Sequence, residues 1–504
     1  MPWNDLPWWW SSCGLRAGAT VNDSQSGRLY AATIRCMLSR MTKPGVADAL
    51  PFESALSDIV WPAAVSGRGM ASLSLLFQLE RTQWWPANRL RERQQAQLKR
   101  LLRHAAQHVP FYRGRLGPLA DADGETFWQL WRYLPLLTRQ DVQQAGDDLL
   151  SRAIPDGHGE LSEIFTSGST GKPIRAVRTE LWQLMWSAVT VREHLWHGRD
   201  LSGKLAAIRE STVGKASYPD GERLEHWGFS TGDVFETGPC VSLNITTPVD
   251  DQLRWLSREE PDYLLTHPTM LDRLLRRSAE TGLRPGRLKQ VLTISEILAP
   301  GLRALCRQQW GAPVVDAYST REAGYLALQC PDAEHYHLQS ETVLVEILDP
   351  AGKACGPGEI GRVIATPLHN LAMPLLRYDV GDYAEVGDAC PCGRGLPVIR
   401  RILGRRQNML RVADGGERWP LLSSDDIGKL LALAPIRQYQ FAQTHRDRIE
   451  VRLQAARPLT EEEARGVVDW AQAKFGDAFR IDLAFPAALG RTASGKFEDF
   501  ISLL

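Results

Sequence analysis

The chain lacks a charge surplus of either sign. Its 504 residues carry 59 Lys and Arg against 59 Asp and Glu, a formal net charge of zero. A nucleic-acid binder needs a basic excess to offset phosphates, so no nucleic-acid partner is expected. Also missing is an apolar run of the ~18 residues that a membrane span requires. The opening MPWNDLPWWWSSCGLR has neither the basic head nor the apolar centre of a secretory signal. These absences predict a cytoplasmic protein with no membrane partner. Cysteine is scarce, eight in all, and in a reducing compartment those eight are thiols or metal ligands rather than disulfides. Internal repeats and low-complexity tracts are absent too. What remains, 43% hydrophobic and 23% charged residues, is ordinary for a globular enzyme long enough for two or more domains.

Residues 1–70 show no sustained period. They read either as an accessory segment packed on the main domain or as a weakly ordered extension, with Met37, Met41 or Met70 as alternative starts. Order becomes legible at RERQQAQLKRLLRHAAQHVPFY, where Leu98, Leu101, Leu102, Ala105, Ala106 and Val109 recur at helical spacing and Val109-Pro110 ends the helix. A tryptophan-rich helix is expected over Leu181–Trp196. Strands are expected at Leu205–Ile208, Tyr263–Thr266, Gln290–Ile294 and Pro313–Ala317, with helices between them at Met270–Ala279 and Gly301–Trp310. That alternation predicts an α/β fold with a parallel sheet. From Glu341 the pattern becomes strands without long helices, which predicts an antiparallel sheet or a distorted β-barrel. A boundary falls at Gly404–Met409. It divides a large domain, 71–403, from a small α+β domain, 404–504, whose helix opens on a Thr460/Glu463 capping box.

The stretch FTSGSTGKPI, Phe165–Ile174, concentrates small polar residues between an apolar lead-in and a basic follow-on. It is not a Walker A loop, since Gly168 and Gly171 are too close and Pro173 follows the lysine. Its glycines let several amides face inward, Thr166, Ser167, Ser169 and Thr170 add hydroxyls, and Lys172 adds a positive charge, a set suited to phosphate. Taken alone, the same composition also fits a polar turn between a strand and a helix.

Its order of residues resembles the phosphate loop of the adenylate-forming superfamily: acyl-CoA synthetases, peptide-synthetase adenylation domains and luciferases. Five more stretches match in sequence, over roughly residues 90–504: TISEILAPGLR (293–303), DAYSTREAG (316–324), LRYDVGD (376–382), ILGRR (402–406) and GRTASGKF (490–497). HVPFYRGR, HYHLQSETVLVEILD and CPCGRGLP narrow the resemblance to phenylacetate–CoA ligases and their relatives around capsule and coenzyme biosynthesis.

The resemblance implies that a carboxylic acid and ATP give an acyl-adenylate and pyrophosphate. Gly168, Gly171 and the loop's other residues would cradle ATP, and Asp382 would hold the ribose. Tyr318, Asp316, Ser295, Glu296 and Ile297 would line adenine, with Ser319 beside them. Glu322 would coordinate Mg²⁺, Thr320 would lie near the α-phosphate, and Arg405 would reach the nucleotide from the hinge. Lys496, on a mobile small domain, would stabilise charge in the adenylation step. Coenzyme A is the expected acceptor, and an amine, hydroxyl or carrier protein is the alternative. A catalytically silent homologue is the remaining reading. Gln407 and Asn408 depart from the charged residue that the family commonly places two positions past the hinge arginine, which weakens both an ordinary domain swing and coenzyme A as acceptor. Relatives are often dimers, which leaves a homodimer open.

Cys390 and Cys392 form a tight pair, with Cys330 and His337 some sixty residues earlier and His335 as a rival ligand. Three cysteines and a histidine are a usual tetrahedral zinc set, and relatives of the narrower family share the arrangement, so a structural Zn²⁺ is expected. Three reduced thiols beside a surface histidine are the alternative. Trp182, Trp186, His194 and Trp227 are the candidates for an acyl pocket suited to an aromatic acid, although tryptophans on a helix more often belong to a core.

Overall fold

The computed structural model describes residues 66–165, 174–212, 214–299, 301–405, 409–412, 416–418, 424–487, 489 and 499–504. All belong to one unit, Pro51–Leu504. The expectations for most of residues 1–70, for Thr166–Lys172, for Gln407 and Asn408 and for Lys496 fall outside them.

The chain enters through α1 (Gly67–Thr82) and α2 (Ala87–His108). Leu98, Leu101, Leu102 and Ala105 share one face of α2 and are fully buried, each leucine contributing ~1.5–3 kcal/mol. Val109, in extended conformation before Pro110, stops the helix. The buried face packs with Phe127 and Trp131 of α3 (Gly124–Tyr133) and with Leu375, Leu376 and Tyr378. Arg377 locks this corner. Its φ is +51°, and its buried guanidinium donates to the carbonyls of Arg132 (2.8 Å) and Leu134 (2.7 Å) and to Glu346 (3.2 Å). α4 (Arg139–Ala145) follows, with a Thr138/Asp141 capping box.

A hairpin of β1 (Leu161–Phe165) and β2 (Arg175–Thr179) flanks the glycine-rich loop and leads into α5 (Glu180–Trp196). Then comes a twelve-stranded sheet, β3 to β14, in the order β11-β12-β13-β14-β10-β9-β8-β7-β6-β3-β5-β4. Its parallel part is β3 (Leu205–Arg209), β5 (Cys240–Asn244), β6 (Tyr263–Thr266), β7 (Gln290–Ile294) and β8 (Val314–Thr320), with β4 (Glu222–Leu224) antiparallel at the edge. YLLT in β6 is apolar on both faces because helices cover both sides of such a sheet. Those helices include α6 (Val249–Glu259), α7 (Pro268–Thr281) and α8 (Leu302–Trp310).

β9 (Gly324–Gln329) runs antiparallel to β8. β10 (Tyr336–Leu338), β11 (Val343–Leu348), β12 (Ile360–Pro367), β13 (Tyr378–Val386) and β14 (Val398–Arg405) extend the same sheet in antiparallel fashion. The antiparallel alternative is therefore the one observed, and no closed barrel forms among the described residues. β14 pairs with both β10 and β13, so these strands join the existing sheet edge instead of closing on themselves.

Beyond Arg405 come the pair β15 (Leu410–Arg411) and β16 (Glu417–Arg418), α9 (Ser424–Leu433), β17 (Ile436–His445), β18 (Arg448–Ala455), α10 (Glu461–Phe475), β19 (Arg480–Ala484) and β20 (Phe500–Ser502). The last four strands make a separate sheet, β19-β18-β17-β20. A core of Leu410, Phe441, Val451, Phe475 and Phe500 draws only on residues after Arg405. The capping box at Thr460 and Glu463 is present.

Candidate active site

A cleft of about 1060 Å³ opens where the carboxyl ends of the parallel strands face the C-terminal unit, the usual ligand position on an open α/β sheet. Ser211, His267, Ile294 to Leu298 and Thr320 to Glu322 line one side, and Gly428, Tyr439, Asp499 and Phe500 line the other.

Three of the residues expected at the nucleotide meet here. The Tyr318 hydroxyl donates to Asp382 Oδ2 at 2.8 Å, and Arg405 Nε lies 3.7 Å from Asp382 Oδ1. β8 supplies Tyr318, while β13 and β14 pair Asp382 directly with Arg405, so sheet register alone brings the carboxylate and the guanidinium together. The Tyr318 ring is buried, and burial beside Asp382 holds its hydroxyl protonated, well above its ordinary pKa.

Thr320 ends β8, and Glu322 sits in the turn from β8 to β9. The Thr320 hydroxyl accepts from the Ala323 amide at 2.9 Å and shapes that turn. Glu322 is 9% exposed and lines the cleft. Burial pushes its carboxyl pKa up, only partly opposed by Arg139, whose Nη1 is 3.8 Å from Oε1. A desolvated carboxylate with so loose a counterion suits a hard divalent cation, which takes oxygen ligands. Mg²⁺ therefore fits at Glu322.

Asp316 lines the cleft but is buried, with its carboxyl already engaged. Its Oδ1 accepts from the Thr293 hydroxyl (2.6 Å) and its Oδ2 from the Tyr336 hydroxyl (2.7 Å), while burial raises its pKa to about 6. Glu296 is likewise engaged, accepting from the Thr269 amide (3.1 Å) and hydroxyl (2.6 Å) beside His267. Ser295 adopts φ +72°, Ile297 is 38% exposed, and both line the cleft with Ser319.

Of the four acyl-pocket candidates, Trp186 lines the cleft. Trp182 is buried against Gly324, where an added Cβ would stand 3.2 Å from the indole. His194 and Trp227 are not among the lining residues. His194 Nδ1 lies 2.9 Å from Arg199 Nη1, in a buried network with Glu193, and burial lowers its pKa to about 3. Trp227 packs edge-on against His194 and donates to the Gly203 carbonyl at 2.8 Å. Both are core residues because the Arg199–Glu193 ion pair and the Gly203 backbone satisfy their polar atoms. Sequence reasoning missed every cleft arginine but Arg405, among them Arg139, Arg178 and Arg321. The one signal for Arg178 was its place just past the glycine-rich loop.

At the other end of β9 and β10, Cys330, His337, Cys390 and Cys392 bring their ligand atoms within 4.8 Å of one another. Cys330 Sγ to Cys390 Sγ is 3.7 Å and Cys392 Sγ to His337 Nε2 is 3.4 Å. His337 Nδ1 faces the Leu396 carbonyl at 3.3 Å, leaving Nε2 as the ligand atom. His335 is outside the cluster. The pair's loop is clamped to the α1–α2 corner by Gly395 N to Gln83 O (2.9 Å) and Arg394 Nε to Gln83 Oε1 (2.8 Å).

A family model described as AMP-binding enzyme matches residues 135–367. A phenylacetate-coenzyme A ligase of Thermus thermophilus is 26% identical over 341 residues, covering 64% of this chain and 72% of its own. Its counterpart in Pseudomonas putida is 24% identical over 377 residues, covering 72% and 82%. The crystal structure of 2-hydroxyisobutyryl-CoA ligase in the postadenylation state shares the fold, with a TM-score of 0.64 at 17% identity over 83% of this chain and 90% of that one. The same ligase in the thioesterification state gives 0.53 at 18% identity, with the same coverage.

Proposed function

The chain belongs to the AMP-binding, adenylate-forming enzymes, and on that premise we propose that it is an ATP-dependent acid–CoA ligase. A carboxylate oxygen of an organic acid, for which an aromatic body suits Trp186, attacks the α-phosphorus. The new bond forms the acyl-adenylate as the α–β phosphoanhydride bond breaks and pyrophosphate leaves. The thiolate of coenzyme A then attacks the acyl carbon and expels AMP.

The observation that carries this reading is the Tyr318–Asp382–Arg405 constellation beside the Glu322 turn. In it Asp382 accepts from the two ribose hydroxyls, Tyr318 orients that carboxylate and offers its ring to adenine, and Arg405 balances its charge. Thr320 lies near the α-phosphate. Mg²⁺ at Glu322 would neutralise charge on the phosphates. The residues Thr166–Lys172 would cradle the phosphates, and Lys496 would meet the charge that develops as the carboxylate attacks.

The reading extends to architecture. Residues 404–504 act as a small mobile domain that turns between the two half-reactions, and its separate core supports this. The higher TM-score with the postadenylation form of the neighbouring ligase supports a first-half-reaction arrangement. Cys330, His337, Cys390 and Cys392 hold a structural zinc. None of the described cysteines is in a disulfide, and no described helix is long and apolar enough to cross a membrane.

Isotopic pyrophosphate exchange with a panel of aromatic and aliphatic acids tests the first half-reaction. Offering coenzyme A, amines and a carrier protein to the trapped adenylate tests the second. Exchange with no acid would remove the proposal, and transfer only to an amine, hydroxyl or carrier would replace coenzyme A as the acceptor.

A further inference from the structure

Arg178 has no carboxylate partner among the described residues. It lies on β2 opposite Ser162 of β1, and its side chain lines the cleft. Its guanidinium carbon sits 4.9 Å from the centre of the Trp182 ring. Trp182 lies 5.7 Å from Trp186, and Trp186 lies 4.6 Å from Tyr325, ring centre to ring centre. Arg178 and Trp186 thus both face the cleft, joined behind its surface by the buried Trp182 ring.

Nε of Arg178 is buried without a hydrogen-bond partner, and no carboxylate pairs with the guanidinium among the described residues. The charge that acts on it is of its own sign. Burial, and then Arg321, hold its pKa below the ordinary arginine value. Arg321 is itself committed, donating from Nη1 to the Phe165 carbonyl at 2.9 Å, with Nη2 3.8 Å from Glu210. Other arginines nearby are matched: Arg175, on the same strand, pairs with Glu163 and with Asp147, and Arg139 faces Glu322. A desolvated, unpaired cation beside another cation is costly unless an anion arrives to pair with it.

We propose that Arg178 receives a second anionic group on the acid, so that the substrate class is a planar or aromatic dianion, a dicarboxylic acid or its equivalent, whose body lies along Trp186. One carboxylate would react with ATP while the other would form a charge-assisted hydrogen bond with Arg178. This inference rests on the acid-activating reading above.

The test uses the full chain and matched probes: benzoate against isophthalate, and phenylacetate against homophthalate. In pyrophosphate exchange, the diacid of each pair exceeds the monoacid in kcat/KM by about tenfold or more, the worth of one hydrogen bond to a charged group. Arg178→Gln collapses that ratio by a similar factor, through the KM for the diacid, while Arg178→Lys keeps most of it. Calorimetric titration of isophthalate and homophthalate into both proteins supplies a readout independent of turnover. Monoacid preference, a diacid preference that Arg178→Gln leaves intact, or an effect of Arg178→Gln on the KM for ATP instead would overturn the inference. Diacid binding that depends on Arg178 but is accompanied by no exchange would uphold the inference and sink the acid-activating reading. Neither exchange nor such binding would sink both.

Discussion

If Cys330, His337, Cys390 and Cys392 hold zinc, the geometry fixes what its removal does. Tetrahedral Zn–S and Zn–N bonds of about 2.3 and 2.0–2.1 Å require ligand separations of about 3.8 Å between sulfurs and about 3.6 Å between sulfur and nitrogen. The observed 3.7 and 3.4 Å meet both. Four protein ligands leave no open position, so the ion's work is to join β9 and β10 to the loop that Gly395 and Arg394 fasten to Gln83. With free metal a thousandfold above its dissociation constant, bound zinc stabilises that junction by ~4 kcal/mol. Purified full-length protein should carry one zinc per chain. Chelation should speed hydrogen exchange selectively over residues 387–396 and the α1–α2 corner, by up to about a thousandfold at that affinity, before it alters the parallel half of the sheet. Cys390→Ser should reproduce this without a chelator. Protein from zinc-replete cells that holds far less than one equivalent, with exchange indifferent to chelator, would refute the reasoning.

Tyr318→Phe keeps the buried ring but removes the hydroxyl that holds Asp382; at ~1.5–3 kcal/mol for a hydrogen bond to a charged group, the KM for ATP should rise about tenfold or more, and a change under about twofold would dismiss the assignment. Lys496→Ala should lower adenylation by ~10²–10³ while nucleotide binding, followed by calorimetry, survives; undiminished pyrophosphate exchange would defeat it. Asp499 has a carboxyl pKa raised to about 7, by burial first and then by Asp272 and Glu296, against the opposing pull of Arg276 and a hydrogen bond from Tyr439. The folded state therefore keeps a proton that the unfolded chain releases near pH ~4. This group's contribution to stability is whole below about pH 4 and is lost as pH rises to about 7. Asp499→Asn should flatten the fall in thermal midpoint across that window, and parallel profiles for the two proteins would count against the raised value.

The parallel strands were legible because a strand covered on both faces writes an apolar run such as YLLT, which nothing in a loop imitates. The antiparallel half was legible strand by strand, but not in its closure. Whether β11 to β14 curl into a barrel or prolong a sheet depends on β14 meeting β10, a pairing that no local pattern encodes. In the cleft, Tyr318, Glu322 and Asp382 stood out through ordered motifs. Arg178 did not, because an arginine in sequence looks solvated until the fold strips it of partners. His194 and Trp227 suggested a pocket by residue type, yet Arg199, five residues past His194, claims that imidazole for the interior.

The reversal of strand direction between β8 and β9 bears on how such proteins can be recombined. Glu322 rides the three-residue connection across that seam, with Tyr318 just before it, while Asp382 and Arg405 arrive from the antiparallel side. A chimera joined there would take its acidic turn and its sugar-facing carboxylate from parents never fitted to each other. A junction in the exposed bend at Asp349–Lys353 would divide them in the same way, so only a junction ahead of Tyr318 or beyond Arg405 keeps the whole constellation with one parent.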